Sequence, residues 1–172
     1  VALVATPGCI EVDQEIDRGP TQTHPKAGED SPAPTLTFEP APPNGFNQAI
    51  AWRTLEDGLE AAQTGERPMM LVVHASWCPR CKELKPSFDA PEIAALSEKF
   101  AMVNVDQDEV TAALSYGPDG TYIPRVLFFD PKTGQLDDAV LNAGREKFKY
   151  YYGPRDDLAA TMRGALARYD RS

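Results

Sequence analysis

Two thiols three residues apart stand where the chain can do chemistry, in Trp77-Cys78-Pro79-Arg80-Cys81. An apolar run over residues 69–73 precedes them and a helical stretch beginning near Pro79 follows, and a strand that delivers a thiol pair to a helix start is a redox site. In the first turn of a helix the unpaired backbone N–H groups and the macrodipole favour an anion, so Cys78 is expected to be the thiolate nucleophile. Cys81 follows on the same helical face. Side chains at this spacing have Cβ atoms about 5–6 Å apart, so a small adjustment of the turn closes a disulfide. Pro79 suits the first helical position, where no N–H is missed. A zinc site wants four ligands; beyond this pair the chain offers Cys9, His24 and His74, none at a ligand spacing, and no metal is expected. Two inert buried thiols are the plainer alternative. The strand before the pair, Trp77 beside it and a proline further on favour thiol chemistry, which needs no cofactor beyond Cys78 and Cys81 themselves.

The chain has 172 residues and a net charge of −9, enough for one domain with a real core plus an appendage. That charge excludes nucleic acid as an expected partner. No apolar run approaches the roughly 18 residues of a membrane span, so the body is expected to be soluble. Three cysteines exclude a disulfide-rich scaffold. Residues 1–45 read as an acidic, proline-rich, disordered arm or tether. Prolines at 7, 20, 25, 32, 34, 40, 42 and 43 interrupt a stretch in which carboxylates outnumber cations and apolar periodicity is lacking. Deleting residues 1–44 is therefore expected to leave the body intact. At the start, Val1-Ala2-Leu3-Val4-Ala5 precedes Thr6-Pro7-Gly8-Cys9, and two readings of Cys9 stay open. One is a signal-peptide remnant ending in a bacterial lipidation site, against which Thr6 and Pro7 speak; the other, favoured, is a free or intermolecular thiol.

The folded body is assigned to residues 46–172. Ile50 and Trp52 alternate with polar or small residues as a short strand; Thr54 caps a helix with Asp57 three residues on, its apolar face being Leu55, Leu59 and Ala62, and Gly65 stops it. Residues 69–74 form a strand apolar on both faces, as a central strand covered on each side should be. Pro86 lies inside the helical pattern that follows the cysteines and is expected to kink it. Ile93, Leu96 and Phe100 mark a second helical stretch, residues 101–105 a strand, and residues 110–114 a short helix. Tyr122-Ile123-Pro124 leads into the apolar run Val126-Leu127-Phe128-Phe129. After the turn Pro131-Lys132-Thr133-Gly134 a weaker strand is expected to Leu141, and a last helix from near Pro154, with Asp156 and Asp157 at its positive end. The order β-α-β-α-β-α-β-β-α predicts an α/β fold, three layers with helices on both faces of a mixed central sheet.

From Gly45 to Arg171 the chain resembles the thioredoxin superfamily. Trp77-Cys78-Pro79-Arg80-Cys81 matches its active-site motif, Pro86 its helix-kinking proline, and Ile123-Pro124 its cis-proline facing the thiols. Residues 52–58, Leu84-Lys85-Pro86 and residues 122–131 resemble more narrowly the anterior-gradient proteins and their redox-active relative of the endoplasmic reticulum. The resemblance implies the thioredoxin fold. It also implies a substrate groove at Trp77, Ile123 and Pro124. Two departures stand out. Thioredoxins place a buried carboxylate and lysine beneath the second cysteine, but Val72 and Met102 occupy the matching positions, leaving the Cys81 proton to a bound water or a substrate group. The final Tyr169-Asp170-Arg171-Ser172 also lacks a retention tetrapeptide, favouring a bacterial envelope or secreted home over the reticulum lumen.

The expected activity is thiol-disulfide exchange on protein thiols or disulfides, with Cys78 attacking, Cys81 resolving, and a redox partner completing the cycle in a monomeric, extracytoplasmic protein. The alternative is a non-catalytic, holdase-like client binder, against which the intact Cys81 argues. Arg80, between the cysteines, is expected to stabilise the reduced thiolate and to lean the site toward oxidant or isomerase; Arg125 is read either as a second flanking cation or as a solvated rim residue. His74 is read as structural, and Phe148, Tyr150, Tyr151 and Tyr152 as packing over the sheet edge in preference to a peptide platform.

Overall fold

The computed structural model describes residues 38–171. Its centre is a pair of parallel strands, β2 (Met69–His74) and β3 (Ala101–Asp106), every residue of which is buried. The short β1 (Trp52–Arg53) lies parallel to β3, and β4 (Arg125–Phe129) runs antiparallel to β2, giving the mixed order β1-β3-β2-β4. Strand side chains alternate between faces. Met70, Val72, Met102, Val126 and Phe128 therefore join a core with Phe46, Trp52, Phe88 and Met162, while Met69, Leu71, Val73, Val103, Leu127 and Phe129 join another with Ala61, Ala62 and Ala113. Both faces are apolar because both are covered.

Helix α1 (Leu55–Gln63) starts as its sequence dictates. The Thr54 hydroxyl oxygen accepts from the Asp57 N–H at 3.1 Å and its O–H donates to the Asp57 carboxylate at 2.6 Å. Gly58 lets this helix lie close on the sheet, since a Cβ there would stand 2.3 Å from Val103 Cγ2 and 2.7 Å from Met69 Sδ. Helix α2 (Pro79–Leu84) follows the cysteine motif and passes into a 3₁₀ turn, Lys85–Asp89. Pro86 thus ends the α-helix where a kink within a continuing helix was expected; lacking an N–H, it cannot bond the carbonyl one turn back, and the chain tightens instead. Helix α3 (Pro91–Ser97) ends before Phe100, which is buried beyond it. The short helix expected after β3 is a 3₁₀ turn, Thr111–Ser115.

Two expected elements change. The strand proposed up to Leu141 is reduced to one bridge, Phe129 to Leu136, because the Asp137 carboxylate accepts from the Ala139 N–H at 3.1 Å and turns the chain. The edge of β4 is met instead by Tyr150, whose carbonyl accepts from the Val126 N–H at 2.9 Å. The last helix, α4 (Leu158–Tyr169), begins three residues after Arg155. Arg145 and the Gly153 N–H occupy the Asp156 carboxylate, and Asp157 caps the helix by accepting from the Ala160 N–H at 2.8 Å.

Residues 38–45 pack on the body rather than belonging to an arm. The Ala41 N–H donates to Trp52 O at 2.9 Å. Asn104 Nδ2 donates to Pro42 O at 3.2 Å, Asn44 Nδ2 to Asn104 Oδ1 at 2.8 Å, and Lys85 Nζ to Asn44 O. Arg53 stacks on the Phe38 ring at 4.1 Å. Proline-rich backbone has few N–H groups to pair, and here its carbonyls are served by distant side chains, a feature invisible to composition. The rest of the expected arm, with Cys9 and its two readings, lies outside the described residues. A deletion through residue 44 is accordingly expected to lower the melting temperature relative to a deletion through residue 37, by several degrees if two to three of these contacts are worth about 1 kcal/mol each; thermal unfolding followed by circular dichroism checks this.

Candidate active site

Cys78 is the N-cap of α2, in extended conformation, and its Sγ accepts a hydrogen bond from the Cys81 N–H at 3.2 Å. The first turn of the helix thus supplies the sulfur with a backbone donor. Both cysteines are free. They form one small cluster with Ala75, and Ile123 packs against it. Although it opens the helix, Cys78 is only 4 % exposed, and Cys81 is fully buried. Burial first, then the hydrogen bond and charge of Cys78, push the Cys81 thiol up to about 12. Val72 and Met102 are buried apolar side chains in the adjoining core.

The loop that presents Cys78 is tied to the end of β3. The Asp106 carboxylate accepts from the Ser76 N–H at 2.7 Å and the Asp108 N–H at 3.1 Å. Burial opposes its ionisation, but these donors prevail and hold it below the usual carboxylate range. Trp77 Nε1 donates to Asp108 Oδ2 at 2.6 Å, fixing an indole that is 61 % exposed beside the thiols. From sequence Asp106 and Asp108 read as a turn and not as site residues; two acids ending an apolar strand were the available signal.

The Ile123–Pro124 peptide bond is cis, directly before β4, and Pro124 is buried. The antiparallel pairing of Val73 with Arg125 brings this segment alongside the end of β2, so Cys78, Cys81, Ile123 and Pro124 gather at one end of the sheet. Arg125 is neither a solvated rim residue nor a cation turned to the sulfur. It is fully buried, and its guanidinium donates to the carbonyls of Tyr116 at 3.1 Å, Tyr122 at 2.6 Å and Ala113 at 3.3 Å. Burial lowers its affinity for the proton. Arg80 is exposed and paired with Glu83 at 2.8 Å, so its charge is shared with a carboxylate in solvent. The aromatic group divides: Tyr150 and Tyr152 are buried, as packing residues should be, whereas Phe148 is 57 % exposed and meets the Tyr122 ring edge-on at 4.9 Å. Tyr122 precedes Ile123, so this ring pair adjoins the segment that carries the cis bond.

A family model described as thioredoxin-like matches residues 51–131. The fold agrees with that of a thioredoxin from Thermus thermophilus, with a TM-score of 0.53 at 21 % identity, covering 71 % of this chain and 91 % of that one. Sequence likeness is narrower. The mouse anterior gradient protein 2 homolog is 31 % identical over 95 % of this chain and 90 % of its own length, and the human one is 33 % identical over 71 % and 70 %. Anterior gradient protein 1 of Xenopus laevis is 32 % identical over 70 % and 67 %. The chain belongs to the anterior gradient family, within the thioredoxin-like proteins.

Because thiolate rather than thiol reacts, and Cys81 is both fully buried and protonated far above neutrality, iodoacetamide at pH 7 is expected to modify Cys78 at least tenfold faster than Cys81. Peptide mapping of partly alkylated, reduced protein reads the ratio; equal labelling would remove the distinction between the two sulfurs.

Proposed function

We propose that this protein is a thiol-disulfide oxidoreductase acting on protein thiols or disulfides. One observation carries the reading: two free thiols share a single hydrogen-bonded turn, Cys78 Sγ accepting from the Cys81 N–H at 3.2 Å, with Ile123 packed against the cluster they form with Ala75. A pair so placed needs little motion to become a disulfide. In the reducing direction the Cys78 thiolate attacks a client disulfide, forming a mixed disulfide and releasing one client thiolate. Cys81 then attacks Cys78 Sγ, the Cys78–Cys81 disulfide forms, and the second client sulfur leaves; two electrons pass to the client. Oxidation of a client dithiol is the reverse. Ile123 and Pro124 wall the site where an extended client segment lies beside the sulfur, and Trp77 offers an exposed, anchored ring. No cofactor beyond the dithiol is invoked.

With Arg80 turned to Glu83, its support for a preferred oxidising direction falls away, and the direction follows from the redox potential of the pair measured against glutathione. We place its work outside the reducing cytosol, where client disulfides persist, and as a monomer, since the chemistry uses one chain. The exposed Trp77 and Phe148 favour the second reading, a holdase that binds unfolded clients without exchange. Cys81→Ser separates the two. It removes the intramolecular attacker, so clients are expected to accumulate as covalent adducts on Cys78 that reductant dissolves and that Cys78→Ser, Cys81→Ser lacks. Reversible client binding with no adduct would favour the holdase.

A further inference from the structure

Resolution of a mixed disulfide requires Cys81 to lose its proton beside a core that is apolar at Val72 and Met102. His74 ends β2 at 1 % exposure and falls on the same sheet face as Met70 and Val72. That face is covered by Leu84, the last residue of α2, and by Phe88 from the turn after it. The His74 ring stands 5.2 Å from Phe46, edge-on; Phe46 in turn meets Phe88 at 5.1 Å and Lys85 Nζ at 5.2 Å, both just beyond α2. Ala75, the next residue in the chain, packs directly with Cys81.

The hydrogen bonds around the ring fix its tautomer. Pro42 O can only accept, so the Asn104 atom 3.2 Å away must be the amide nitrogen, and Asn104 Oδ1, which also receives Asn44 Nδ2, is the atom presented to His74 Nε2 at 3.4 Å. Nε2 is therefore the protonated nitrogen. Nδ1 carries a lone pair, is buried, and has no partner within hydrogen-bond geometry, while the Ala75 backbone beside the ring raises its proton affinity. Buried acceptors are nearly always paired, with protein or with water, so Nδ1 is a seat for a water donor. Two charges face the ring, Asp106, its register partner on β3, and Lys85 from beyond α2. Burial holds the imidazole below its ordinary value, so the lone pair is available at neutral pH.

We propose that His74 is the proton acceptor for Cys81, its Nδ1 taking the thiol proton through one bridging water as Cys81 attacks the mixed disulfide on Cys78. This rests on the oxidoreductase reading. The Cys81 S–H bond breaks, its electron pair forms the bond to Cys78 Sγ, and the Cys78–client S–S bond breaks with its pair leaving on the client sulfur. The proton on Nδ1 passes back through water to that leaving thiolate, so no further reactant is needed. Lys85 disfavours a lasting imidazolium, which returns the proton promptly, and its positive charge favours the Cys81 thiolate.

Reduced full-length protein mixed with equimolar dithiobis(nitrobenzoate) separates the steps, because Cys78 releases one thionitrobenzoate on attack and Cys81 a second on resolution. His74→Gln keeps an N–H for Asn104 but has no base. The first phase is expected to be unchanged and the second slowed roughly 10²–10⁴-fold, with loss of the inflection that the wild-type second phase shows below the ordinary imidazole range. A second phase at the wild-type rate and pH profile would overturn the role of His74 alone. A wild-type protein with no second phase would overturn the oxidoreductase reading and this inference with it. Nitrogen NMR of the wild-type ring supplies a check independent of the variant's folding: an Nε2–H tautomer is expected, and Nδ1–H would overturn the inference.

Discussion

The parallel pairing of β2 with β3 is the constraint on which the rest depends. Its register sets Val72 beside Asn104 and His74 beside Asp106, so the two strands end together and the chain leaving β2 meets the carboxylate ending β3. Asp106 then takes the Ser76 N–H and directs the loop toward Cys78. A slip of one residue would turn Asn104 and His74 to the opposite face and bury Val103 and Val73 in the wrong core. Twelve consecutive-strand residues buried on both faces make such a slip very costly, since each apolar side chain is worth about 1.5–3 kcal/mol when removed from water.

Within that frame the protein distributes its polar groups unevenly. Beneath α2 the sheet presents apolar side chains at Val72 and Met102, and one step nearer the site a polar layer of His74 and Asn104, closed from outside by Asn44, Pro42 and Lys85. The layer is buried without an ion pair, which avoids the several-kcal/mol desolvation of two charges. It also ties residues 42–44 to the sheet, so the segment entering the domain is coupled to the environment behind Cys81.

On the other flank a buried cation does mechanical work. Arg125 spends its guanidinium on three carbonyls of the 113–122 segment, anchoring the chain that leads into Ile123 and Pro124. Dipoles replace a carboxylate as its partners, and burial accordingly wins over them in the direction of its proton affinity. Tyr122, held through its hydroxyl by Asp119 and the Tyr150 N–H, supports the exposed Phe148 beside this approach.

The sequence by itself determined the sulfur pair, the strands that flank it and the layered architecture, because these rest on local signals: two cysteines at helical spacing, Pro79 at a first turn, Thr54 with Asp57, and apolar runs long enough for a central strand. It determined the Ile123-Pro124 position through likeness to a family. Only the tertiary structure decided what long-range contacts arrange. Residues 38–45 look like linker until Asn104 and Lys85 reach their carbonyls. Arg125 looks like a surface cation until the 113–122 segment closes over it. His74 looks like a structural residue until Pro42, some thirty residues away in sequence, orients the Asn104 amide and leaves Nδ1 free. A side chain's protonation and partners depend on atoms that the chain brings together only by folding, and spacing along one strand carries no trace of them.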